Sequence, residues 1–132
     1  MVVHILENHG ATVYLDDRDP ALSAKPGREV AKLLRSRIRV CRKFILFASK
    51  HVRDSKWVPW ELGLSDGFKN PGNTAIFPAV DSASETTWTK QEYLGAYDRV
   101  VWGTLQGHEK PLWMVWNQDE NSAVTLAQWL SR

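Results

Sequence analysis

The run Phe44-Ile-Leu-Phe-Ala48 is five consecutive apolar residues with no polar alternation. Such a strand must be covered on both faces, which is how strands of parallel sheets read. A polar loop follows, and then a helix-like stretch from Trp57 to about Phe68. Ser55 can cap that helix, Pro59 is tolerated in its first turn, and Gly67 lies near its end. Arg28 to about Cys41 carries Val30, Leu33, Leu34, Ile38 and Cys41 at helical spacing. Met1–His9 predicts the last turns of a helix, stopped by Gly10. Thr12-Val-Tyr-Leu15, Thr74–Val80 and Leu112-Trp-Met-Val-Trp116 predict further strands, with Pro78 marking a bulge or a strand end. Asp16–Gly27 is rich in turn residues and reads as a loop. Thr89–Tyr97 predicts a short helix, and Ser122–Leu130 a closing helix with Val124, Ala127 and Leu130 inward. Strands alternating with helices predict an α/β domain whose parallel sheet has helices on both faces. Ligands of such sheets bind beyond the carboxyl ends of the strands. Those ends are expected at Asp16-Asp17, Ser49-Lys50, Asp81-Ser82 and Asn117-Gln118.

The chain has 132 residues, which fits one domain. No apolar run approaches the roughly 20 residues of a membrane span. Cys41 is the single cysteine, which excludes a disulfide scaffold and a multi-cysteine metal site. His4, His9, His51 and His108 are scattered, without metal-ligand spacing. The first residues have no basic n-region, so no signal peptide is expected and the cytoplasm is the simplest location. Charge is uneven. Residues 1–70 carry 13 basic and 8 acidic side chains; residues 71–132 carry 4 basic and 7 acidic. Between Lys25 and Lys56 there are 11 basic residues and only two acids, Glu29 and Asp54. That stretch reads either as a solvated helix face with a charged loop or as a surface that attracts an anion. No nucleic-acid-binding module accompanies it, so a nucleic-acid partner is not expected. Gly63 and Gly67 do not follow a strand directly and make no phosphate loop.

Trp57 and Glu61 are four residues apart and share a helix face. A carboxylate beside an indole is partly desolvated, which raises its pKa and positions it. The plainer reading makes Glu61 a first-turn acid favoured by the helix dipole and Trp57 a core residue. Trp88, Trp102, Trp113, Trp116 and Trp129 read as packing residues, and Cys41 as a small core residue.

Ser55-x-Trp57-x-x-x-Glu61-Leu62 after an apolar strand ending at Ser49 resembles a segment of Toll/interleukin-1 receptor (TIR) domains. That segment is the third strand and the helix after it. Gly10-Ala-Thr-Val-Tyr-Leu-Asp16 resembles the second strand of that family, and Asp16–Gly27 its BB loop. Gln91-Glu-Tyr-Leu-Gly-Ala-Tyr97 is similar to a segment of short bacterial members. The resemblance covers nearly the whole chain. It implies a flavodoxin-like fold with family sheet order 2-1-3-4-5, whose first, central strand is missing from this chain. It also implies cleavage of the nicotinamide–ribose bond of NAD in immune or antiphage signalling, with Glu61 as the catalytic carboxylate. Trp57, Asp16 and Arg18 are implied to bind the substrate. NAD or a related nucleotide is then a substrate, no cofactor or metal is implied, and TIR–TIR self-association is expected. A non-catalytic module that assembles through TIR–TIR contacts is the alternative.

Overall fold

A computed structural model describes residues 2–14, 27–48, 58–78 and 94–132. Helix α1 spans Val2–Asn8. Its end is a Schellman motif: Gly10, at φ 96°, donates to Glu7 O at 3.0 Å and Ala11 donates to Leu6 O at 3.1 Å. The positive φ is why glycine stands there. Helix α2 spans Gly27–Val40 and buries Leu34 and Ile38, as the spacing predicts. Strand β1 (Phe44–Ala48), helix α3 (Val58–Phe68) and strand β2 (Thr74–Pro78) follow. Pro78 is the last described residue of β2, and Ala79 and Val80 of the predicted strand lie outside the described residues. Strands β3 (Asp98–Gly103), β4 (Leu112–Asn117) and β5 (Ser122–Thr125) lead to helix α4 (Leu126–Ser131).

The five strands lie in the order β1-β2-β3-β4-β5. β1 and β2 are parallel, with Phe44 beside Thr74 and Phe47 beside Phe77, and β2 and β3 are parallel. Pairing then reverses, because β3·β4 and β4·β5 are antiparallel. The α/β fold stands, while the expectation of a wholly parallel sheet is corrected in this half. The reason is chain length: parallel strands need a crossover of a dozen or more residues. Only residues 104–111 join β3 to β4, and only 118–121 join β4 to β5. The shorter loop is fixed by Glu120 N donating to Asn117 Oδ1 at 2.9 Å and by Asn121 at φ 46°.

The structure differs from the sequence expectations in four further places. Thr12–Tyr14 form no strand, and Leu15 lies outside the described residues. β1 hydrogen-bonds to β2 alone among the described strands, so this run has no ladder to join; Ala11 and Val13 still pack against the core. Asp98–Gly103 is a strand that the apolar pattern did not predict. Ser122–Leu130 is not one helix. Its first four residues are β5, and Thr125 caps α4 through a reciprocal capping box with Gln128. Starting the helix at Leu126 turns Trp129 and Leu130 inward with it and leaves Ala127 exposed. Of the predicted helix at Thr89–Tyr97, residues 89–93 lie outside the described residues, and Leu94–Ala96 make one 3-10 turn.

The sheet has a core on each face. Leu6, Ala75, Phe77, Val100, Val115, Leu126, Trp129 and Leu130 form the cluster under α1 and α4. Leu46, Ala48, Val58, Leu62 and Ile76 form the cluster under α3. Alternation along β1 and β2 sends successive residues to opposite clusters.

Candidate active site

Helix α3 carries the candidate carboxylate. Val58, Leu62 and Ser65 are its buried stripe, at i, i+4 and i+7. Val58 and Leu62 pack with Ala48 and Leu46 of β1. Ser65 Oγ lies 2.5 Å from Thr74 Oγ1 at the start of β2, both hydroxyls buried. These contacts fix the direction of the helix. Its first turn stands at the carboxyl ends of β1 and β2, and its last turn at their amino ends. Glu61 is the acid of that first turn and is half-buried beside the stripe. The first turn of α3, and Glu61 with it, therefore stands at the end of the sheet where α/β folds bind ligands.

The far half of α3 is pinned from outside. Tyr97 packs on the Leu46–Leu62 cluster, and its hydroxyl donates to Asp66 Oδ2 at 2.7 Å. Burial first, and then the bond to and charge of Asp66, push the Tyr97 pKa well above its ordinary value. The phenol stays protonated and is a permanent donor.

Trp57, Asp16 and Arg18 lie outside the described residues, as do the expected strand ends Asp16-Asp17, Ser49-Lys50 and Asp81-Ser82. Asn117-Gln118 is corrected: β4 runs antiparallel, so this pair lies at the opposite edge, beside the start of β3.

The tryptophans divide in a way their sequence did not show. Trp129 is core, and its Nε1 donates to Gly72 O at 2.8 Å. Trp102 is instead 58% exposed. It meets Trp113 edge-on at 5.3 Å between centroids, Trp113 lies 5.1 Å from Phe77, and Phe77 6.2 Å from Phe47, itself 49% exposed. An aromatic row thus crosses the sheet toward the carboxyl ends of β1–β3, on the face opposite α3. Register is the signal that finds it, since Phe47 faces Phe77 and Trp102 faces Trp113. Trp88 lies outside the described residues.

Among the described residues, no helix is long and apolar enough to cross a membrane. Residues 1–111 match a family model described as the TIR domain. A relative from Bacillus cereus (strain MSX-D12), named "Probable 3' cyclic ADP-D-ribose synthase ThsB'", is 32% identical over 130 residues. The match covers 96% of this chain and 65% of that relative's length. No solved structure matches the chain.

Proposed function

This chain belongs to the TIR domain family, and from that premise we propose that it cleaves the nicotinamide–ribose bond of NAD in bacterial immune or antiphage signalling, with Glu61 as the catalytic carboxylate. The observation that carries the reading is Glu61 itself, half-buried in the first turn of α3 at the carboxyl edge of the parallel strands. The relative named as a cyclic ADP-D-ribose synthase supports the choice of substrate. Nicotinamide is a good leaving group because its ring is positively charged in NAD. As the C1′–N bond breaks, the bonding pair goes to the ring nitrogen and neutral nicotinamide departs. The ribose left behind has oxocarbenium character, which a facing carboxylate stabilises. Water then adds at C1′ and loses a proton to give ADP-ribose, or an internal hydroxyl adds and gives a cyclic isomer. Trp57 is proposed to wall the ring from water, and Asp16 and Arg18 to bind the substrate from the loop that precedes α2. The protein is proposed to act in the cytoplasm.

Incubation of the purified protein with NAD, followed by chromatography, is expected to show released nicotinamide. Glu61→Gln is expected to lower the rate by about 10²-fold or more, as loss of a positioned catalytic group does, with the fold intact by circular dichroism. Equal release from the variant would remove Glu61 from the chemistry.

A second reading is a non-catalytic module that assembles through TIR–TIR contacts. It is favoured by β1, an edge strand among the described residues, because an edge strand is where another chain can add to a sheet. Light scattering over a concentration series, with no NAD turnover at any point, is the result that would select it.

A further inference from the structure

Helices α2 and α3 end side by side at the amino edge of the sheet, at Val40 and Phe68. Between their ends lies an open groove of about 420 Å³, lined by Arg39, Arg42, Phe68, Lys69, Asn70 and Asn73 among others. Every partner found for its cations is neutral. Lys69 Nζ donates to Ile38 O. Arg42 Nη2 donates to Leu130 O at 2.6 Å. The Arg39 guanidinium stands 5.8 Å from the Phe68 ring centroid. Lys43, next to the groove, donates to Asn73 Oδ1 at 2.5 Å and lies 4.6 Å over the Trp129 ring. Among the described residues, no carboxylate pairs with any of the four. Burial, and then the charges of Arg42 and Arg132, lower the Lys43 pKa; burial also lowers that of Lys69, partly opposed by Cys41.

Basic residues at a helix C-terminus answer its dipole, which amounts to roughly half a negative charge. Two such ends supply on the order of one negative charge against four cations, so roughly three positive charges stay uncompensated. The groove is large enough for a small ligand. Two guanidinium groups suit phosphate oxygens, to which they can donate in pairs. Asn73 accepts from Lys43 through Oδ1, which leaves its NH₂ to donate. The groove also has an apolar ledge, because Phe68 is 43% exposed and Val40 76% exposed. An exposed ring beside cations is how proteins stack a nucleobase.

We propose that this groove is a second ligand site, which takes a phosphate-bearing nucleotide of mononucleotide size, phosphate on Arg39 and Arg42 and base on Phe68. It does not rest on turnover of NAD. Glu61 and Phe68 sit in the first and last turns of α3, roughly 10 Å apart along the helix axis.

The test titrates the ¹⁵N-labelled chain with AMP and, separately, with inorganic phosphate, followed by NMR and calorimetry. Expected are saturable AMP binding tighter than that of phosphate, and amide shifts concentrated in residues 39–43 and 67–73. Arg39→Glu, at an exposed position, is expected to weaken AMP at least about tenfold, the effect of one lost charged hydrogen bond. Phe68→Ala is expected to bring AMP down to the affinity of phosphate, and Glu61→Gln to leave AMP binding unchanged. Absence of saturable binding, shifts centred on the first turn of α3, or Arg39→Glu binding as well as the parent chain would overturn the site. AMP no tighter than phosphate would overturn the nucleotide. Should Arg39→Glu not fold, the shift map of the parent chain decides.

Discussion

Under α1 and α4 the sheet buries a large apolar set that includes Leu6, Leu126, Leu130 and the indole of Trp129. Under α3 it buries Leu46, Ala48, Val58, Leu62 and Ile76, and the stripe of α3 continues into a hydroxyl pair, Ser65 with Thr74. The first face is closed by bulk and by local stops: the Schellman turn after α1 and the capping box before α4. The second is closed by smaller side chains and buried polar contacts, and it bears Glu61 at its margin. The difference separates two kinds of damage. Substitutions on the α1/α4 face cost stability in proportion to volume. Those on the α3 face act through polar geometry, where a lost partner matters more than a lost methylene.

Trp129→Ala sets the upper end of that comparison. It removes a buried indole and leaves Gly72 O without its 2.8 Å donor. About 3–5 kcal/mol of destabilisation is expected from the cavity, read by urea denaturation. A loss near 1 kcal/mol would mean that this face can collapse onto the void, and the contrast between the faces would fail.

Ser65→Ala probes the other face. Both hydroxyls are buried, so the variant strands Thr74 Oγ1 without its partner. The expected cost is about 1–3 kcal/mol. The sharper measurement is the double variant Ser65→Ala/Thr74→Val, which removes both polar groups and is expected to recover most of that loss. If the double variant is as unstable as the two single losses added together, packing rather than the hydrogen bond holds α3 to β2.

Thr125→Ala comes next, at about 1 kcal/mol, because it deletes the acceptor for Gln128 N at the start of α4. Here the same residues explain what a reader of the sequence can and cannot see. Thr125-x-x-Gln128 is a capping-box signature, yet Ser122-Ala-Val-Thr125 before it is too short to show a period, and the two merge into one apparent helix. α1, α2, β1 and β2 were legible because their signals are local: the glycine stop, helical spacing and unbroken apolar runs. β3 was hidden because Asp98-Arg99 opens it with charge and Trp102 faces solvent. Its strand character comes from pairing with β2 and β4, which no local pattern carries. Glu61 could be singled out only as a candidate, through its spacing in a family-like motif; the structure adds its position at the carboxyl edge, which follows from the β1–α3–β2 crossover, and its chemical role stays a proposal. The groove between α2 and α3 was visible only as an excess of basic residues, because Lys69 is 26 positions from Lys43 in the chain and reaches it through packing alone.

The smallest effect is expected at Asp98, where the antiparallel half of the sheet meets the amino edge. Burial first, and then repulsion from Glu120 and Asp119, raise its pKa, partly opposed by Arg132. An acid with a raised folded-state pKa binds its proton more tightly when folded than when unfolded. Folding is therefore favoured at low pH, and this contribution is lost as pH rises from the ordinary value near 3.8 to the raised one. Above that window the ionised Asp98 opposes folding. Asp98→Asn should then stabilise the protein at neutral pH, by less than about 1 kcal/mol since the group is only half-buried and screened by solvent, and should change little at a pH below 3.8. Added salt should shrink the part of the gain that comes from repulsion and leave the part that comes from burial. Urea denaturation of both proteins across pH and salt measures each part. A variant less stable than the parent at neutral pH would show that Asp98 is held by favourable contacts in the hairpin corner, and that the antiparallel edge is stapled rather than strained by its charges.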